Sequence, residues 1–408
     1  MPGLARESVE ELGDQVDGDD VCVEFGGEHH GGCTRPTADV GDPEVARVSQ
    51  AGQIDGSAGL VVPARALARP AEVEIDEEFE TVHLDTIRTA LPSTDVTDQP
   101  ELPILFIDHP FPEVYRDLVD GRASVVGNGT DEGLDICDAI LAGAVRPWNA
   151  GAFALAPNCK VISRIGVGYD NVTVDDAAAA GITVCNAPLA PMVSTAEHTM
   201  ALLFAVTKAL PHHTARAKQG LKGEPVGRAL ELDGRTLGLV GIGRIASRVA
   251  VAAQALGMRV IASDPGVRES PVDGCALVDF DTLLAESDVV SLHAPALPTT
   301  IRMMDAGAFA RMRPGSYLVN CARGVLVDHD ALLDAIDRSH LGGAGLDVTD
   351  PEPLPEGHPL LDRANVVVTP HIASASVAGR RRLYEHSIDN ALAVLDGRPA
   401  TIVAPSAS

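Results

Sequence analysis

From Pro103 onward, short apolar runs alternate with stretches of helical periodicity. The runs predict strands at Ile104–Ile107, Ala123–Val126, Ile136–Leu141, Val161–Ile165, Ile182–Cys185, Thr236–Val240, Arg259–Ser263, Val289–His293, Ser316–Asn320, Ala344–Val348 and Val366–Val368. Most are apolar at neighbouring positions rather than only at every second one, the mark of strands buried on both faces. Helical periodicity predicts helices at Phe111–Asp120, Val174–Ala180, Ser194–Leu210, the stretch from the 241–246 glycine turn to about Leu256, Phe280–Glu286, Ala306–Met312, Asp328–Ser339 and Ala378–Leu395. The Ser194–Leu210 helix is expected to open on a Ser-x-x-Glu capping box, Ser194 to Glu197, and to end at Pro211. Strands that alternate with helices fold into doubly wound parallel sheets, so the class is α/β.

Residues 1–100 lack this pattern. They hold glycine and histidine clusters, scattered prolines and 22 acidic residues against 6 arginines, so they carry −16 of the formal charge of −27. Such a segment is expected to be a disordered acidic extension. His29-His30 beside Cys33 lacks four well-spaced ligands, and the seven cysteines form no Cys-x-x-Cys pair, so no metal site is expected. The net charge opposes nucleic acid or an anionic membrane as partner. There is no membrane-length apolar run, no secretory leader is expected, and the expected compartment is the cytoplasm.

Thr236–Pro265 carries the most specific pattern. A buried strand leads into Gly241-Ile242-Gly243-Arg244-Ile245-Ala246, then a helix stopped at Gly257, then a strand ending at Asp264. This is the strand–turn–helix–strand of a dinucleotide-binding unit. Gly241 permits the tight turn and Gly243 lets backbone approach a pyrophosphate at the helix N-terminus. Asp264 stands where a carboxylate accepts the ribose hydroxyls of NAD and repels the extra phosphate of NADP.

Three further motifs each follow an expected strand, the edge where α/β sheets bind ligands. In Asn320-Cys321-Ala322-Arg323-Gly324, the Arg323 guanidinium can grip a carboxylate in a fork. In Asp347-Val348-Thr349-Asp350-Pro351-Glu352-Pro353, Glu352 is held between prolines. In Thr369-Pro370-His371-Ile372-Ala373, His371 sits on a proline turn. An anion-gripping arginine, an acid and a histidine beside a nicotinamide suit oxidation of a secondary alcohol: the histidine takes the proton and the acid orients it.

With these motifs and Arg164-Ile165-Gly166-Val167-Gly168-Tyr169-Asp170-Asn171, the chain resembles the D-isomer-specific 2-hydroxyacid dehydrogenases from about residue 103 to 403, in the branch of phosphoglycerate dehydrogenases and carboxy-terminal-binding proteins. The resemblance implies a Rossmann NAD domain inserted into a flavodoxin-like substrate domain. It divides the chain into the extension 1–100, a substrate-binding domain 101–195, an NAD domain 196–371 and a C-terminal helix 372–403 that returns to the substrate domain. It places catalysis on Arg323, Glu352 and His371. It places NAD on Val167, Gly241, Gly243, Arg244, Ile245, Asp264, Ala294, Cys321, Ala322, Arg323, Asp347, His371, Ala373 and Ser374. Substrate would meet Val167, Gly168 and Arg323, with Arg146 available for a second anion such as a phosphate. Closure about hinges near 195 and 372 and a homodimeric assembly are also implied. The activity implied is interconversion of a D-2-hydroxy acid and its 2-keto acid, with a phosphoglycerate, hydroxypyruvate/glycerate or lactate type of substrate. The alternative is an NAD(H)-sensing protein-interaction module like the carboxy-terminal-binding-protein corepressors. A formate dehydrogenase of the same superfamily would carry Gln where this chain has Glu352.

Overall fold

The structure, a computed structural model, describes residues 102–224 and 229–404. The expectations for the acidic extension, His29-His30 included, lie outside them. The first strands are β1 (Ile104–Ile107), β2 (Ser124–Gly127), β3 (Ala139–Ala142), β4 (Val161–Arg164) and β5 (Thr183–Cys185). The short helices α1 (Ala150–Phe153) and α2 (Val174–Ala179) lie between them. Asn149 caps α1 by accepting from the Gly151 and Ala152 amides. The segment expected as a helix at Phe111–Asp120 is a 3₁₀ turn, Glu113–Leu118.

The chain then crosses to a second sheet through α3 (Met192–Thr207) and α4 (Leu210–Lys218). The helix expected at Ser194–Leu210 is α3, which stops three residues earlier, and α4 follows it unforeseen. The break between them is Ala209, which adopts a left-handed conformation (φ 50°, ψ 40°). Pro211 does not end a helix but lies in the first turn of α4, where a missing N–H costs nothing. The capping box is absent too. Helix α3 starts two residues before Ser194, whose Oγ bonds Ser376 Oγ at 2.6 Å.

The second sheet takes β6 (Thr236–Val240), β7 (Arg259–Ser263), β8 (Ala276–Leu277), β9 (Val289–Leu292), β10 (Ser316–Asn320), β11 (Leu341–Leu346) and β12 (Val366–Val368). Its helices are α5 (Arg244–Ala255), α6 (Phe280–Glu286), α7 (Ala306–Arg311) and α8 (His329–Asp337). The strand order is β12-β11-β10-β9-β6-β7-β8, all parallel, the 3-2-1-4-5-6 pattern of a dinucleotide fold with one strand added. Strands β6, β9 and β10 are buried at every position. Helix α5 covers one face, packing Ala246, Val249, Ala250 and Ala253 with Leu203 and Val206 of α3.

The chain returns through α9 (Val377–Leu395) and ends the described region in β13 (Ile402–Ala404). The first sheet thus reads β13-β5-β4-β3-β1-β2, parallel except for β13, which pairs antiparallel with β5. Helix α9 lays Tyr384, Ile388, Ala391 and Leu392 against Leu105, Ile107, Leu141 and Val161. Its order without β13 is the flavodoxin pattern 2-1-3-4-5. The second sheet is inserted between the parts of the first. Among the described residues, no helix is long and apolar enough to cross a membrane.

Candidate active site

Strands β10, β11 and β12 are neighbours in the sheet, so the loops at their carboxyl ends are neighbours too. Those loops carry Arg323, Glu352 and His371. The first two loops touch tightly: a Cβ on Gly324 would lie 1.9 Å from the Thr349 carbonyl oxygen. Only glycine allows that approach.

His371 has φ 53°, a conformation uncommon for a side-chain-bearing residue, and it is held there from below. Asp347, 1% exposed, accepts from Thr369 Oγ1 (2.6 Å) and the Ile372 amide (2.9 Å) on Oδ1, and from the Ala373 amide (2.8 Å) on Oδ2. Its carbonyl accepts from the His371 amide at 2.9 Å. The turn is thereby fixed on one buried carboxylate. His371 Nδ1 and Glu352 Oε1 are 2.6 Å apart, and Nε2 has no hydrogen-bond partner among the described residues. Burial works to raise the Glu352 carboxyl, but the hydrogen bond and charge of His371, the Thr349 amide and Arg323 outweigh it and hold it below the usual carboxylate range.

Arg323 reaches across to the first sheet. Its Nε donates to Asp170 Oδ2 at 2.8 Å and its Nη1 to the Ala322 carbonyl at 2.7 Å. Its Nη2 occupies the space above Gly168, where a Cβ would lie 1.3 Å away. Asn320 shapes the loop, donating to the Arg323 carbonyl and accepting from the Ala322 amide. Val167 is 39% exposed beside it, its carbonyl fixed by Asn186 Nδ2 at 2.7 Å.

A second cation lies under the same glycine turn. Arg164, at the end of β4, donates through Nη1 to the Ile165 carbonyl, and its buried Nε has no partner among the described residues. Burial, then the charge of Arg323, push it down to about 10, against the opposing pull of Asp108 and Asp170. Arg164 stands in the Arg164–Asn171 motif but carries no role in the expectations above. A half-buried arginine with a buried, unused donor and no carboxylate in hydrogen-bond contact is the signal that only the structure supplies.

Arg146 was expected to hold a second anion. The structure instead pairs its Nη1 with Asp131 Oδ1 at 2.5 Å and lays the guanidinium 4.6 Å from the Trp148 ring centre. Asp131 is largely exposed, so an anion can take its place on Arg146 at little cost, as one can take that of Asp170 on Arg323. Asn171 Nδ2 donates to the carbonyls of Gly143 and Arg146 and holds that loop from the other side.

The glycine turn fits a dinucleotide. Gly243 is the N-cap of α5, with no side chain capping the helix, so the first amides, those of Arg244 and Ile245 among them, are open to an anion. A Cβ on Gly243 would meet nothing within 4 Å, which leaves room at that helix end. Gly241 (φ 90°) packs under His293 and Ala294, at the crevice between β6 and β9 where the strand order reverses. Asp264 follows β7 and braces the turn, accepting from the Ile242 amide (3.0 Å) and the Gly266 amide (2.9 Å). Cys321 and Ala322 are half-buried at the end of β10, and Ala373 and Ser374 follow the His371 turn.

Residues 200–373 match the model of the D-isomer specific 2-hydroxyacid dehydrogenase, NAD binding domain. The D-3-phosphoglycerate dehydrogenase of Archaeoglobus fulgidus is 41% identical over 241 residues, which is 59% of this chain and 46% of that protein. The chain thus spans about half the length of the phosphoglycerate dehydrogenases it matches. The glyoxylate reductase of Thermofilum pendens is 36% identical over 289 residues, 69% of this chain and 84% of that protein. In three dimensions the TT0316 protein from Thermus thermophilus superposes with a TM-score of 0.69 at 37% identity, covering 74% of this chain and all of that one.

Proposed function

The chain belongs to the D-isomer specific 2-hydroxyacid dehydrogenase family and takes NAD as its cofactor, and from that we propose that it interconverts a D-2-hydroxy acid and its 2-keto acid. The observation that carries this reading is the 2.6 Å pair of His371 Nδ1 and Glu352 Oε1, set beside an arginine that spans the two sheets. When bound, NAD supplies the two-electron redox chemistry. The chain's own residues supply the rest. In the direction of reduction, protonated His371 gives its Nε2 proton to the substrate's keto oxygen; in oxidation the neutral ring takes it back. Glu352 stays ionised, fixes the ring and offsets its positive charge. Arg323 polarises the keto oxygen and holds the substrate carboxylate over the Gly166–Gly168 turn, with the Arg164 charge beneath it.

The catalytic roles fall on Arg323, Glu352 and His371. The dinucleotide would lie along Gly241, Gly243, Arg244, Ile245, Asp264, Ala294 and the 321–323 loop. Asp347 acts by holding the turn that bears His371. Substrate binding and NAD binding divide near residues 195 and 372, where the chain crosses between the sheets. The Ser194–Ser376 hydrogen bond ties the two crossings together, which supports a shared hinge. The assembly is the homodimer usual in this family, and the compartment is the cytoplasm.

The substrate is a small keto acid such as glyoxylate, hydroxypyruvate or pyruvate, a choice supported by a match that covers 84% of a glyoxylate reductase against 46% of a phosphoglycerate dehydrogenase. The experiment is NADH consumption by the purified chain against those acids and 3-phosphohydroxypyruvate, with light scattering for the assembly. Turnover of the small acids supports the reading. Turnover of the phosphorylated acid alone overturns the substrate assignment, and turnover of none overturns the activity.

A further inference from the structure

Helix α4 carries two consecutive histidines, His212 and His213, and none of its residues is buried. After the helix the chain folds back through positive-φ turns at Gly220 and Gly223. Arg216 Nη2 donates to the Gly223 carbonyl at 2.8 Å, which sets the next residue, Glu224, against the helix. One donor atom each from His212, His213 and Glu224 lies within 4.8 Å of the others.

Consecutive residues on a helix do not face one another. These two converge because the rings use different nitrogens. His212 turns its far nitrogen, Nε2, to Glu224 Oε1 at 3.3 Å, and His213 turns its near nitrogen, Nδ1, to Oε2 at 3.4 Å. The ring planes cross at 72°. Both separations exceed the 2.7–3.2 Å of a good N–H···O bond. They end on different oxygens of one carboxylate, and the three donor groups lie near enough for one Zn(II) ion, with bonds of about 2.0–2.2 Å, to draw them together. Two imidazoles and a carboxylate form a common zinc donor set, with a fourth position left to solvent.

We propose that His212, His213 and Glu224 bind one Zn(II) ion, which clasps the segment after α4 to the helix. The site is separate from Arg323, Glu352 and His371, and it takes the metal as a fastener rather than a reactant. The sequence gives little warning of it: adjacent histidines have no ligand spacing, and the carboxylate comes from a turn beyond the helix.

The test is titration of the metal-free full chain with Zn(II) against a chromogenic zinc indicator. One equivalent should bind per chain. His212→Ala and His213→Ala should each weaken it by about a hundredfold, Glu224→Gln by about tenfold, and the double histidine variant should abolish it. Absence of a stoichiometric ion, or equal binding by the double variant, overturns the proposal. Zinc-edge X-ray absorption on the parent gives an answer that no variant's folding affects. A coordination sphere with two imidazoles supports the site, and one without them overturns it.

Discussion

His371 keeps one ring nitrogen for Glu352 and leaves the other open, and single substitutions should separate the two halves of that arrangement. His371→Ala should lower kcat by about 10²–10⁴-fold with cofactor affinity little changed, measured by steady-state rates and NADH titration. Because reduction draws on the protonated ring and oxidation on the neutral one, the two directions should respond to pH with opposite slopes. Glu352 is held below the usual carboxylate range, so its support for the ring is complete above that range and is lost only as pH falls through its own lower value. Asp347→Ala should be the more damaging change to the fold. It strands the Thr369 hydroxyl and the Ile372 and Ala373 amides, at a cost of about 3 kcal/mol or more in denaturant unfolding. Arg323, Glu352 and His371 were legible in the sequence because each follows an apolar run at a strand's carboxyl end. The work of Asp347 and the buried donor of Arg164 were not, since both depend on what distant segments bring within a few ångströms.

At the scale of elements, periodicity located most strands and helices of the second sheet but missed α4, which follows α3 almost at once. The apolar pattern runs through Thr207 into Leu210, so nothing local marks the break; it is made by the backbone at Ala209. A left-handed conformation costs an L-residue about 1–2 kcal/mol, which glycine avoids. Ala209→Gly should therefore stabilise the chain by up to about 1 kcal/mol, seen as a raised unfolding midpoint; a clear loss would mean that the break is not strained. Strand β11 began earlier than expected because Gly342-Gly343 thins the apolar signal. A Cβ on Gly343 would lie 2.3 Å from the Asn365 carbonyl oxygen, so crowding, not turning, explains that glycine. The antiparallel strand β13 went unseen because so short a run carries its meaning only through its pairing with β5.

At the scale of the molecule, two sheets present their carboxyl edges to one another, and Arg323 bonded to Asp170 joins them. The sheet of the dinucleotide unit also carries an acid sensitivity. Burial pushes His293 down to about 4 from 6.5. A histidine depressed in the fold contributes fully above its unfolded value and loses that contribution as pH falls, here between about 6.5 and 4. Unfolding free energy should fall across that window by at most about 3 kcal/mol, and His293→Gln should flatten the decline. The central claim is that this cleft transfers a proton through His371 while a D-2-hydroxy acid and its keto acid interconvert. The most direct measurement follows NADH consumption with glyoxylate, hydroxypyruvate and pyruvate, and resolves the enantiomers of the chiral products. The account predicts turnover that yields the D-acid and nearly vanishes in His371→Ala. An L-product, or a rate unchanged by that substitution, would contradict it.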